Sequence, residues 1–107
     1  MVQPDIVKMG GITGLQRCIA LAHAHGVELV PHQTQPAIGN AANLHVLSTV
    51  MHATKPAELA DGWARAADTF VNAPKPDGGC LVVPEGPGLG LAVDEAMLAR
   101  RRFDVKG

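Results

Sequence analysis

Aromatic side chains are nearly missing from this sequence: Trp63, Phe70 and Phe103 are the whole complement, and tyrosine is absent. A core made from such a chain is aliphatic and alanine-rich. Cysteine is equally scarce. Cys18 and Cys80 have no metal-type spacing and give no disulfide framework, which fits a reducing compartment. No excess of either charge exists, the net charge being −1, so no basic surface invites nucleic acid or acidic lipid. Arg100-Arg101-Arg102 is the one concentrated basic patch, and it reads as a solvated helix end set favourably against the helix dipole. Neither a signal peptide nor an apolar run of membrane-spanning length is present, so the expectation is a soluble cytoplasmic protein without a membrane partner. The 107 residues allow one domain with a modest core.

What the chain does contain is a strand–helix–strand pattern. Residues 1–7 read as a short strand, broken by Gly10-Gly11. Thr13 fits a helix N-cap, and Gln16 completes a capping box. Leu15, Cys18, Ile19 and Ala22 recur at helical spacing as a buried face, and Gly26 suits the C-terminal cap. Residues 27–30 form the second strand, followed by Pro31-His32. A helical crossover makes its two strands parallel neighbours. Residues that end them emerge side by side on the carboxyl edge, where α/β folds keep their chemistry. Asp5 ends the first run and His32 the second. A carboxylate bonded to one imidazole nitrogen fixes the tautomer and leaves the ring to give or take a proton near neutral pH. The plainer alternative has Asp5 capping a turn and His32 as a structural histidine after a proline.

Residues 33–40 are polar and turn-forming, hence a loop on the same edge. A second helix runs from about residue 38 or 40 to Met51, with Ala41, Leu44, Leu47, Ser48 and Met51 on one side, and Lys55-Pro56 ends it. Residues 57–59 read as a third, very short strand that puts Glu58 on the edge with Asp5 and His32; a surface glutamate is its alternative. Lys8 lies near the same edge or is solvated. His23 and His25, two apart, cannot share a helix face. His45 and His52 lack a supporting acid or cysteine, so no zinc site is expected. Residues 86–90 hold a Gly-x-Gly interrupted by Pro87, which is a turn and not a dinucleotide fingerprint. Gly10-Gly11 with Gly14 lacks the Walker lysine and the third Rossmann glycine. Residues 72–79 read as loop, 80–83 as a short strand and 91–93 as an extended piece. Asp94 caps a last helix through about Arg102.

At Gln3-Pro4-Asp5, Lys8-Met9-Gly10-Gly11-Ile12-Thr13-Gly14, Pro31-His32 and the Pro84, Gly86-Pro87-Gly88-Leu89-Gly90 turn, the sequence resembles the C-terminal part of the enolase superfamily, mandelate racemase subgroup. The resemblance spans essentially the whole chain. It implies an α/β fold: about strands 6 to 8 plus the tail of a modified TIM (β/α) barrel, incomplete on its own. Residues 1–60 would be the last barrel units, and 61–107 a tail returning toward a capping domain.

Family members bind Mg²⁺ and abstract the proton α to a carboxylate. By this resemblance Asp5 and His32 are the catalytic dyad, and Glu58 contacts the substrate carboxylate, although its local sequence matches less well. The polar run Pro31-His32-Gln33-Thr34-Gln35 faces a polyol better than an aryl group, so the expected parent is an acid-sugar (aldonate or aldarate) dehydratase, homo-oligomeric, acting on a small sugar acid. A racemase or epimerase, or a non-catalytic oligomerisation fragment, are the alternatives. The family's metal-binding acids and its lysine base would all precede Met1. The magnesium ligands are therefore expected outside this chain, and the isolated chain is expected to be inactive.

Overall fold

The computed structural model describes residues 1–51, 53, 55–59 and 68–101. Two extended segments, 2–5 and 28–32, run parallel, with bridges from Val2 to Leu29 and from Asp5 to His32. Val2 N–H donates to the Glu28 carbonyl at 2.9 Å, Val30 N–H to Val2 at 3.1 Å and His32 N–H to Pro4 at 3.0 Å. This is the parallel pairing and register expected. The first segment is shorter than the expected strand over 1–7 because the chain turns at once after Asp5. Met9 N–H returns to the Asp5 carbonyl at 2.9 Å and Gly11 N–H to that of Ile6 at 2.8 Å. The Asp5 side chain offers a local acceptor to the turn's donors and so competes with the ladder.

Helix α1 covers Gly11–Ala24, and its N-cap is Gly10 at φ 85°, with no side-chain cap. Thr13 therefore lies inside the first turn and is not the cap. Gly10 and Gly11, both at strongly positive φ, swing the chain from the Asp5 turn into the helix, a path that a Cβ resists. The other end follows expectation. Gly26 N–H donates to His23 and Val27 N–H to Ala22, the two bonds of a Schellman cap, with Gly26 at φ 62°. Leu15 and Ala22 are buried and Cys18 and Ile19 half-buried, as the spacing requires.

Helix α2 spans Ala37–Leu47 and stops short of Met51, which is almost fully exposed. The Ser48 and Thr49 hydroxyls bond the His45 and Val46 carbonyls at 2.7 Å each, and i→i+3 bonds tighten the chain beyond Leu47. The expected one-sided stripe holds only at Ala41 and Leu44, since Leu47 is half-buried and Ser48 exposed. Instead Ala37, Gly39, Asn40, Ala41, Ala42, Asn43, Leu44 and Val46 are all buried. A helix covered on nearly every side shows no stripe. Ile6, Leu15, Ala42 and Val46 form the core, with Ile19, Leu29 and Leu89 packed on it. The turn after Asp5 and both helices thus share one apolar centre.

Beyond residue 67 the chain folds back on itself. Phe70 bridges antiparallel to Val93, so the extended piece at 91–93 has its partner. Asn72 stands in for backbone, donating to the Gly90 carbonyl and accepting the Ala92 N–H. His45 Nε2 meets the Leu89 carbonyl at 3.2 Å and ties α2 to the 84–90 turn. Cys80 closes a two-glycine hairpin turn with Asp77, and 81–83 do not continue as a strand. No ladder forms at 57–59 either among the described residues; Pro56 brings no N–H to one. Helix α3, Glu95–Arg100, is capped by Asp94, whose carboxylate accepts Met97 N–H at 2.9 Å. Arg101 pairs with Asp68 at 3.3 Å. His52, Trp63, Arg102 and Phe103 lie outside the described residues.

Candidate active site

The parallel pairing brings Asp5 and His32 directly opposite each other at the ends of their segments. The Asp5 carboxylate, 5% exposed, divides its oxygens. Oδ1 accepts the Val7 N–H at 2.9 Å and the Lys8 N–H at 3.3 Å. Oδ2 faces His32 Nδ1 at 3.4 Å and Lys8 Nζ at 3.6 Å. A carboxylate can only accept, so this contact puts the imidazole proton on Nδ1 and leaves Nε2 with its lone pair. The His32 side chain is 35% exposed, open enough to meet a ligand. Lys8, mostly in solvent, adds a positive charge worth little as an ion pair.

Burial pushes the Asp5 carboxyl upward. The Lys8 and Val7 N–H groups, the His32 ring and the Lys8 charge outweigh it and hold the group below its ordinary 3.8. A carboxylate depressed in the folded state stabilises the fold above its unfolded pKa and loses that contribution as pH falls through the folded value. We therefore expect thermal stability to decline more steeply below about pH 4 in the native chain than in Asp5→Asn. Parallel melting curves across that range would show that Asp5 carries no such linkage.

Glu58 reaches the neighbouring residue, its Oε2 accepting the Gln33 N–H at 2.8 Å. The structure thus gathers all three predicted side chains around residues 32 and 33, although the bond that Glu58 makes is to main chain and the imidazole's is to Asp5. Gln33 departs from expectation: it is 3% exposed and does not face outward. Its Nε2 donates to the Gln35 carbonyl at 2.7 Å, and its Oε1 accepts from Asn43 Nδ2 on α2. Asn43 is as deeply buried, and its Oδ1 has no partner among the described residues. In sequence Gln33 belongs to the polar loop that faces a polyol, and Asn43 is given no part in the site. The available signal was Asn40 and Asn43 inside an Ala- and Leu-rich helix, since a buried amide needs a partner.

Among the described residues no three His, Cys, Asp or Glu side chains converge as a metal site. The Asp5 oxygens and Glu58 Oε2 are already committed to protein donors. These residues do not fit a magnesium centre. His23 closes α1 and His45 bonds backbone. Both cysteines are free thiols. No helix among the described residues is long and apolar enough to cross a membrane.

Residues 1–97 match the family model described as enolase C-terminal domain-like. D-galactonate dehydratase of Ralstonia pickettii is 36% identical over 112 residues, covering 94% of this chain and 28% of that one. L-rhamnonate dehydratase of Saccharopolyspora erythraea is 31% identical, covering 97% and 27%. A mandelate racemase/muconate lactonizing protein from Paracoccus denitrificans superposes with a TM-score of 0.88 at 63% identity, covering 94% of this chain and 27% of that one. A second structure of a Paracoccus denitrificans protein of that description, complexed with magnesium, gives 0.85. The chain spans about a quarter of the length of these relatives.

Proposed function

The chain belongs to the enolase C-terminal domain-like family, and from that footing we propose that it supplies the acid/base edge of an acid-sugar dehydratase. Residues 1–60 would form about the sixth to eighth strand–helix units of a modified (β/α) barrel, and 61–107 the tail returning toward a capping domain. The observation that carries the reading is the Asp5–His32 contact across adjacent parallel segments. Protonated on both nitrogens, His32 gives its Nε2 proton to the departing β-hydroxyl of an aldonate or aldarate. The C–O bond breaks, water leaves, and the enol left behind becomes a 2-keto-3-deoxy acid. Asp5, ionised and buried, steadies the imidazolium through Nδ1 and holds the ring in place. The α-proton goes to a base elsewhere in the parent polypeptide.

Glu58 stands on the same edge to meet the substrate carboxyl group, a contact that needs one proton shared between the two. The magnesium bound by the Paracoccus relative would take its ligands outside the described residues. The relatives named as galactonate and rhamnonate dehydratases support a sugar acid as the substrate class. A homo-oligomeric parent completes the proposal.

The test grafts this chain in place of the matching segment of the Paracoccus protein. The chimera is incubated with galactonate, gluconate and rhamnonate in the presence of magnesium, and the products are weighed by mass spectrometry. Dehydration gives a product lighter by one water. An isomer of unchanged mass would make the parent an epimerase and overturn the assignment.

A further inference from the structure

We propose that Gln33 and Asn43 form an amide clamp that positions His32, a role that builds on the reading of His32 as the proton-transfer residue. Gln33 follows His32 directly and is gripped at three points. Its N–H goes to Glu58 Oε2 at 2.8 Å, its Nε2 to the Gln35 carbonyl at 2.7 Å, and its Oε1 takes the Asn43 Nδ2 hydrogen. On the other flank Pro31 is fully buried and its ring fixes φ. The main chain of His32 is therefore bracketed on both sides.

The amide orientations follow from one another. The Gln35 carbonyl can only accept, so the Gln33 nitrogen must face it and the Gln33 oxygen must face Asn43. Asn43 then has to present its NH₂, which turns its Oδ1 into the interior, where it finds no partner among the described residues. An unmet buried acceptor is costly. The arrangement keeps it, and what it secures is a fixed link from the middle of α2 to the backbone beside the imidazole. That link matters because the Asp5–His32 contact is long. At 3.4 Å it stands near the limit of a hydrogen bond, and a few tenths of an ångström of drift at residue 32 would end it.

The test labels the histidine rings of the 107-residue chain with ¹⁵N and reads the His32 tautomer by long-range ¹H–¹⁵N NMR. Amide exchange at residue 33 is followed alongside. The paired variant Gln33→Met/Asn43→Leu removes both amides and keeps much of their volume, leaving only the Gln35 carbonyl without its Gln33 donor. Asn43→Leu alone removes the donor to Gln33 Oε1 without adding a charge, so one of the two reports even where the other fails to fold. We expect the native chain to hold the Nδ1–H tautomer. In a folded variant we expect mixed tautomers and exchange at residue 33 faster by about tenfold or more. A folded variant that keeps the single tautomer and slow exchange overturns the clamp. The readout is the ring itself, so it decides the clamp separately from whether the parent dehydrates a sugar acid.

Discussion

Replacing His32 with asparagine in the grafted enzyme is expected to lower kcat by about 10²- to 10⁴-fold, the range that a positioned general acid contributes. Asparagine keeps a polar side chain on the edge but has no group that can hand over a proton near neutral pH. KM should change far less, because the lost interaction belongs to the transition state for C–O cleavage and not to ground-state binding. Asp5→Asn is expected to cost a comparable factor by another route. One atom of the new amide can still accept the Val7 and Lys8 N–H groups, so the turn survives. The other becomes an NH₂ facing His32 Nδ1, which must then accept. That moves the ring proton to Nε2 and removes the buried negative charge that steadies the imidazolium. Steady-state kinetics on both variants check this. A loss of about threefold or less at His32, well under the general-acid range, would rule it out as the proton donor.

Gly14→Ala should be the most damaging small substitution in the described part of the chain. In an ordinary helix interior the change stabilises by about 0.5–1 kcal/mol. Here a Cβ at residue 14 would run into the Met9 carbonyl, which is backbone and cannot rotate away. Met9 belongs to the turn that its own N–H closes onto the Asp5 carbonyl. Relieving the clash means displacing either α1 or that turn. The expected cost is about 2–4 kcal/mol, as for overpacking against rigid surroundings. It would be read as a fall in the urea midpoint, with a shift of the Asp5 and His32 resonances. An unchanged or raised midpoint would show that α1 and the turn are not in this contact.

The Asp5–His32 pairing was legible because it follows from chain connectivity. A helix-length crossover between two short apolar runs leaves few alternatives, and both polar residues stand at the ends of those runs. Helix α1 was legible for a related reason, since its buried face recurs every third or fourth residue. Its start was not. Thr13 and Gln16 have capping-box spacing, yet the two glycines at positive φ begin the helix earlier. The limits of α2 were hidden because a helix buried on most sides carries no stripe to mark its face or end. Glu58 was set on the edge by reading 57–59 as a third strand, which does not form among the described residues, and its bond to the Gln33 backbone joins residues 25 apart with no local pattern. The same holds for Gln33 with Asn43 and for Asn72 with Gly90 and Ala92. Side chains that serve distant backbone look, in sequence, like ordinary loop polarity.

In the proposed site a buried, ionised Asp5 fixes His32 in the tautomer that proton transfer at Nε2 requires. Long-range ¹H–¹⁵N NMR of the native chain beside Asp5→Asn tests it most directly. The native chain should hold the Nδ1–H form and the variant the Nε2–H form. An Nε2–H ring in the native chain, or one that does not respond to the loss of the Asp5 charge, would contradict it.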